Sequence, residues 1–500
     1  MTHWKNFTSL GALSVMLSAG TGFADVSSQD VWTAWKDMMT SSGYTVSGDE
    51  VASGGDLTVS DLIMQFELPP EDGDIRFEMG ELAFEDQGDG TVRIILSETQ
   101  ELHMNVIEEG TDSDIVVLIK WDDVDMVASG DPDNVTYSYA AAGMEIGIDS
   151  LIVDGEPVED FDVDVIASTL AGQSSIATGS DITSVQSMTV ESIQLLANGQ
   201  DEQDGSFDIT MDVAGIALEG SGVMPSDADP NDPAAMMRAG FDMNGTFSSQ
   251  SSKVAIVAQE EAGPTNVNLS TGASSLLVRF GAGLFEYDGG VQNLDLNMVG
   301  PELPLPVVLS MEEFSYGFLM PLLKGDTPQA FDANFKLGGL EVSDMLWGVF
   351  DPAGMLPRDP ATIALSMTGA ATLFQDLIEE DVEEFEEVPG ELNALNINEI
   401  LIDVVGANIS GDGAFTFDNT DMETFDGFPR PTGALNLKGK GINGLLDTLV
   451  DMGLLPKEQV TGARMMMAMF TVPGESEDEM SSTIEINEAG HVLANGQRIQ

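Results

Sequence analysis

Polar and apolar residues alternate along most of this 500-residue chain, and a two-residue period is the mark of a strand with one dry and one wet face. Near the start the period differs. Over residues 28–42, Val31, Trp32, Trp35 and Met39 recur at helical spacing, which predicts a helix with Ser28 as its cap. Alternation then takes over: Leu62, Met64, Phe66 and Leu68, then Ile75, Phe77 and Met79 set between Arg76 and Glu78. After the turn Asp86-Gln87-Gly88-Asp89-Gly90 come Val92, Ile94 and Leu96, which reads as strand, turn, strand. Further strands are expected at Ile115–Trp121, at Val135–Tyr139, around Phe161, Val163 and Val165, and through Phe207, Ile209, Met211 and Val213. Turn residues punctuate these segments at roughly 8–12-residue spacing, as in antiparallel sheet. Since apolar side chains fill one face and carboxylates the other, one side of the sheet is expected to meet water.

The fold class read from this pattern is mainly β, a β-rich α+β chain. Long, curved antiparallel sheets are expected in two lobes, with a few short helices packed on their apolar faces. An amino-terminal lobe is predicted over 25–225 and a carboxy-terminal lobe over 241–500. The joint between them is SDADPNDPAAMMRAG (226–240), with its three Asp and two Pro. The acidic stretch 376–391 stacks carboxylates at i, i+3 and i+4, where they repel, and reads as a solvated loop or frayed helix. Residues 337–365 and 437–465 share an order of parts: a Gly-rich strand end, a short apolar helix, Gly-[Met/Leu]-Leu-Pro-[Arg/Lys]-[Asp/Glu], then a strand. They are expected to be two copies of one strand–helix–strand unit.

Charge narrows the range of partners. Only 17 Lys and Arg stand against 86 Asp and Glu, a formal net charge of −69. Yet 42% of residues are apolar and 23 are Phe, a content that acidic disordered chains lack. Nucleic acid and bare anionic lipid surfaces need clustered Lys and Arg, so neither is expected as a partner. The acids are spread along the chain, as on a surface adapted to saline surroundings, where diffuse cations screen self-repulsion. With no Cys there are no disulfides, and packing alone must hold the fold.

The first residues read as an export signal. Lys5 is the only charge before an uncharged run from Phe7 to Phe23, and Gly22-Phe23-Ala24 ends in the small residue that signal peptidase requires. Cleavage is expected between Ala24 and Asp25. The apolar run is too short and too interrupted for a comfortable membrane span, so no integral membrane segment is expected after its removal. The periplasm is the expected location, with secretion the alternative.

Motifs with chemistry are sparse. Gly439-Lys440-Gly441-Ile442-Asn443-Gly444 matches GxGxxG, but the surrounding strands do not form a βαβ series, so it is read as a structural turn. Asp227, Asp229 and Asn231 begin a calcium-loop pattern that Asp232 and Arg238 break at the Gly and bidentate-acid positions. Beyond the signal, only His103 and His491 could serve as a base for a nucleophilic hydrolase, and neither GxSxG nor HExxH occurs. A glycosidase could use a carboxylate pair, yet among so many acids none stands out. No catalytic residue, cofactor or dedicated metal site is expected, and the protein is read as a non-enzyme. The run Met465-Met466-Met467-Ala468-Met469-Phe470 is read as a Met-rich strand, either plain core beneath a helix Leu445–Met452 or part of an apolar groove. In the groove reading, Trp347, Phe350, Met465, Met467, Met469 and Phe470 touch the ligand.

Three stretches and the tail carry a family likeness: VSDMLWGVFDPAGMLPRDPATIALSMTG, GAFTFDNTDMETFDGFPRPTGALNL, GLLDTLVDMGLLPKEQVTGARMMMAMF and HVLANGQRI. Together they resemble domain-of-unknown-function family 2125, exported Gram-negative bacterial proteins. The likeness implies export, a strand-rich fold and no assigned activity, so it supplies no site residues. The expected function is a non-enzymatic periplasmic role in envelope maintenance, with a lipid or other apolar small molecule held in a concave sheet. The alternative is a structural scaffold that binds an envelope protein partner and no ligand, and a carboxylate-pair glycoside hydrolase ranks third. Salt that screens the acidic surface should stabilise the fold. The melting temperature is therefore expected to climb between low and molar NaCl, and a flat profile in calorimetry would contradict this account of the acidity.

Overall fold

The computed structural model describes residues 25–41, 43–67, 73–108, 111–201, 205–229, 232–378, 389–476 and 478–500. The expected signal sequence up to Ala24 and most of the acidic stretch 376–391 lie outside the described residues. The chain forms two compact units. One runs up to Asp227 and adds 241–268 and 300–302; the other comprises 228–240, 269–299 and 303–500. The segment expected to be the joint contributes its helix to the second unit, and the chain then returns to the first for Phe241–Asn268.

In the first unit, helix α1 (Ser28–Ser41) precedes β1 (Thr45–Ser53), β2 (Asp56–Glu67), β3 (Gly73–Asp86), β4 (Val92–Leu96), β5 (Thr99–Glu108), β6 (Thr111–Asp122), β7 (Asp125–Asp131) and β8 (Asn134–Val153). After the short β9 (Glu156–Pro157) come β10 (Phe161–Thr178), β11 (Asp181–Asp201), β12 (Gly205–Pro225), β13 (Asp242–Ser249), β14 (Ser251–Glu260) and β15 (Gly263–Thr271). The strands predicted in this unit are present, and several are far longer than their sequence signals. All the pairings described here are antiparallel. The sheet forks: the first half of β3 pairs with β5 and its second half with β4. The branches rejoin on β8, which pairs with β7 along its first half and β6 along its second. Beyond β8 the order is β10, β11, β12.

α1 packs over β1, β2 and β3. Its side chains Val31 and Trp32 are fully buried against Leu57, Val59, Leu62, Phe84, Val92, Ile94 and Tyr137, with Trp35 and Met39 packed alongside. The expected apolar stripe is thus the core contact, but the cap lies one residue earlier. Ser27 Oγ accepts from Asp30 N–H and the Asp30 carboxylate accepts from Ser27 N–H, a reciprocal capping box. Ser28 is already in the helix, and its hydroxyl donates to the Phe84 carbonyl at 3.1 Å, which ties the helix to the sheet. Further along, Thr169 (φ 46°) marks a kink in β10, and its hydroxyl donates to Glu191 on β11.

The second unit contains α2 (Pro233–Arg238), then β16 (Ser274–Gly281), β17 (Leu284–Val299), β18 (Val307–Pro321) and β19 (Gln329–Val342). Next come α3 (Asp344–Phe350), β20 (Ala361–Leu373), β21 (Gly390–Val404), β22 (Ala407–Asp418) and β23 (Arg430–Lys440). The chain ends with α4 (Ile442–Asp451), α5 (Lys457–Phe470), β24 (Val472–Pro473), β25 (Glu479–Ile486), β26 (Val492–Ala494) and β27 (Gln497–Arg498). From β16 to β23 each strand pairs antiparallel with the next, a plain meander that β25 extends after the helices.

The first of the two echoing segments is a strand–helix–strand unit, β19–α3–β20. The second is not: the Met-rich run is helix α5, where a strand was expected. Six consecutive apolar or small residues carry no readable period. Pro456 at the N-cap and a run of strong helix formers decide for helix. Replacing Trp32 with Ala empties the largest fully buried side-chain site of the first unit. That should cost about 3–5 kcal/mol in urea denaturation, and a loss under about 1 kcal/mol would contradict the assignment of this core.

Candidate functional site

Alternation in β16–β23 sorts side chains onto two unlike faces. Register places Phe285 opposite Met320, Tyr287 opposite Phe318 and Val291 opposite Phe314. It then sets Tyr316 opposite Phe335, Phe335 opposite Leu365, and Leu365 opposite Ile400. All of these share one face. The other face carries Glu286, Asp288, Glu313, Asp332, Lys336, Glu399 and Asp412 at the intervening positions. The apolar face crosses seven inter-strand spacings, about 33 Å, and about 20 Å along the strands. Its footprint is on the order of 600 Å², of which the surface at Phe318, Phe335, Ile363, Leu365 and Ile402 is open.

Seven rings form its centre. Phe285 and Phe318 centroids lie 5.3 Å apart, Tyr287 and Tyr316 5.6 Å, Phe314 and Tyr316 5.6 Å, and Phe314 and Phe335 5.8 Å. Phe280 joins Phe285 at 6.3 Å. Glycines make the layer possible. A Cβ on Gly289 would fall 2.8 Å from the Tyr316 hydroxyl, and one on Gly369 within the Phe331 ring, so these rings lie flat over bare backbone. The layer is not sealed: Phe318, Phe335, Ile363, Leu365 and Ile402 each keep 37–40% of their surface exposed. Register shifts at Leu337/Leu340, Ser366/Met367 and Ile397/Ile400 bend these strands.

Helices α3, α4 and α5 gather at one end of this sheet, where β19, β21 and β23 finish and β20, β22 and β25 begin. α4 lies on the apolar side, since a Cβ on Gly439 would meet Ile442. Of the six residues expected to touch an apolar ligand, Phe350, Met465 and Met469 are 66–69% exposed. Trp347, Met467 and Phe470 are half-buried, and the Trp347 ring has the Arg358 guanidinium 5.9 Å from its centroid. The Met run is therefore not plain core: Met465, Met466 and Met469 face outward from α5. Sequence reading missed the aromatic layer of β16–β19 altogether. Its signal was Phe or Tyr at every second position in LFEY (284–287) and FSYGF (314–318).

The residues that carry the family likeness act as fasteners. Asp351, fully buried, accepts from Met355 and Leu356 N–H at 2.9 and 2.8 Å, and these donors hold its carboxyl below the usual range. Arg430 binds Asp418 and Asp421 at 2.6 and 3.0 Å as well as the Glu488 carbonyl. Arg464 binds Asp447 and the Asn443 carbonyl. Asn495-Gly496, both at positive φ, turn the closing β26–β27 hairpin, and the Asn495 amide donates to Phe470.

The GxGxxG segment is a turn as expected. Gly441 (φ 73°) packs so close to the Gly406 carbonyl that no Cβ fits. The N–H groups of Asn443 and Gly444, where a phosphate would sit, donate instead to Asp478 at 3.0 and 2.8 Å. The broken calcium-loop pattern also has structural work: Asp232 caps α2 and Arg238 pairs with Asp376. Burial pushes the Asp376 carboxyl up, but the Arg238 guanidinium and the Lys324 N–H outweigh it and hold it below its usual value. His103 lies on β5 and His491 in the turn between β25 and β26. No described helix is long and apolar enough to cross a membrane.

The family model described as "Uncharacterized protein conserved in bacteria (DUF2125)" matches residues 290–495. The likeness read from the carboxy-terminal motifs is borne out over that stretch. No curated protein and no solved structure matches the chain.

The Asp418 fastener has a measurable signature. The Thr420 hydroxyl, then Arg430 and the Thr420 N–H, hold its carboxyl at about 2, against 3.8 for a free side chain. A depressed carboxyl stabilises the fold fully above about pH 4, and that contribution is lost as pH falls through about 2. NMR titration should show Asp418 near 2 in the native protein and moving up toward 3.8 in Thr420→Ala. An unchanged value in the variant would contradict the assignment.

Proposed function

We propose that this is a non-catalytic protein of the bacterial envelope that holds a lipid or similar apolar molecule on the ring-lined face of β16–β21. The observation that carries the reading is that face: seven aromatic side chains and a row of aliphatic ones are organised by register, yet Phe318, Phe335, Ile363, Leu365 and Ile402 are left about two-fifths exposed. Apolar surface left open at these five side chains is costly in water, and a bound hydrocarbon would remove that cost. The acidic reverse face keeps the unit soluble and leaves the two sides chemically distinct. Outward-facing Met465, Met466 and Met469 at one end of the same sheet add adaptable apolar surface. Export fits this role. Cleavage after Ala24 would leave Asp25 as the first residue, directly before Val26, which is buried and donates its N–H to Gly90.

Extraction and mass spectrometry of the purified protein should recover an apolar molecule, and a fluorescent fatty-acid analogue should bind and be displaced by that extract. In the double variant Phe318→Ser/Phe335→Ser both signals are expected to fall at least about tenfold, with the strand-rich circular-dichroism spectrum retained and unfolding free energy lowered by about 2–5 kcal/mol for the lost ring pairs and buried area. If nothing apolar is recovered and the analogue binds variant and native protein alike, the ligand-free scaffold reading replaces this one.

A further inference from the structure

We propose that Glu78, Glu101 and His103 on the first unit's sheet form a binding site for a divalent transition-metal cation with the ligand preference of Zn²⁺. Register builds the site. In the β3–β5 ladder Glu78 stands opposite Glu101, and Arg76 opposite His103. Alternation sends Phe77 and Leu102 inward to the core beneath α1, so the carboxylates and the imidazole share the outer face. His103 Nε2 lies 3.2 Å from Glu101 Oε2 and 3.8 Å from Glu78 Oε1. One ligand atom from each of the three falls within 4.8 Å of the others.

The spacing suits a four-coordinate ion. Ligand atoms about 2.0–2.2 Å from a tetrahedral centre lie about 3.3–3.6 Å apart. The His103–Glu101 distance of 3.2 Å is just under that edge, and the Glu78 oxygen at 3.8 Å from Nε2 needs to close by a few tenths of an ångström. Chemistry selects the ion. Ca²⁺ and Mg²⁺ take oxygen ligands almost exclusively, whereas an imidazole with two carboxylates is an N/O set suited to Zn²⁺. Three protein ligands on rigid strands leave one position for water, and the side chains are 37–49% exposed, so an ion can enter. The surrounding acidic surface concentrates cations. One group opposes binding: the Arg76 guanidinium sits 2.8 Å from Glu78 Oε1, so the ion must take the second Glu78 oxygen or displace Arg76.

The histidine separates this site from diffuse binding to acids. His103 and His491 are the two imidazoles among the described residues, which makes His491 an internal control. The site belongs to the first unit and does not depend on the lipid reading of the second. The test is Zn²⁺ titration of metal-stripped, full-length mature protein in millimolar Ca²⁺, which saturates scattered carboxylates, with both imidazoles followed by NMR. The expected result is saturation of the His103 signal at one equivalent while His491 stays in place. His103→Ala and Glu101→Gln should each weaken binding by at least about tenfold. Arg76→Gln should tighten it several-fold, because a competing cation is gone. Parallel, unsaturated movement of both imidazoles would overturn the proposal. So would stoichiometric Zn²⁺ binding that survives His103→Ala, or binding that weakens in Arg76→Gln.

Discussion

Everything in this protein rests on one constraint: a two-residue period that gives each antiparallel sheet an apolar face and an acidic one. With 86 acids against 17 bases, carboxylates cannot be neutralised by pairing and must be solvated. The pleat solves this by turning every second side chain to water without interrupting the backbone ladder. Cross-strand pairs then stabilise the dry side. Ring pairs such as Phe285–Phe318 and Tyr287–Tyr316 contribute about 0.5–1.5 kcal/mol each beyond the area they bury.

The two units spend their apolar faces differently. In the first, α1 lays Val31 and Trp32 over β1, β2 and β3, and Ser28 fastens the helix to Phe84, giving a closed core of conventional kind. In the second, the short helices collect at one end of the sheet, and the centre of the apolar face keeps its exposure. This difference is what turns a structural feature into a candidate site. Contiguous exposed apolar side chains mark interaction surfaces more often than scattered single ones do.

The most recognisable residues of the second unit, those in the DUF2125 stretch, hold loops. Asp351, Asp418, Asp421, Arg430 and Asp478 are spent on backbone N–H groups, on one another or on helix starts. Such networks fix the turns from which long strands depart, and so the register of the strands themselves. The recognisable sequence therefore points to how the sheet is held, while the candidate surface is built from ordinary Phe, Tyr, Ile and Leu.

How far the sequence could be read follows from which interactions are local. Alternation in Ile75–Met79 or Phe207–Val213 fixes strand and face at once, and the stripe Val31, Trp32, Trp35, Met39 fixes a helix and its buried side. Charge balance fixes the wet face. Where the local pattern has no period, as in Met465–Phe470, sequence reading mistook helix for strand. Where neighbours compete for one role, it chose Ser28 over Ser27 as cap. Only the tertiary structure decided what depends on register between distant strands: that the rings of β17, β18 and β19 meet, that they stay open, and that Glu78 reaches Glu101 and His103. Hydrogen-bonded pairing across the sheet sets those meetings, and no window of consecutive residues contains it.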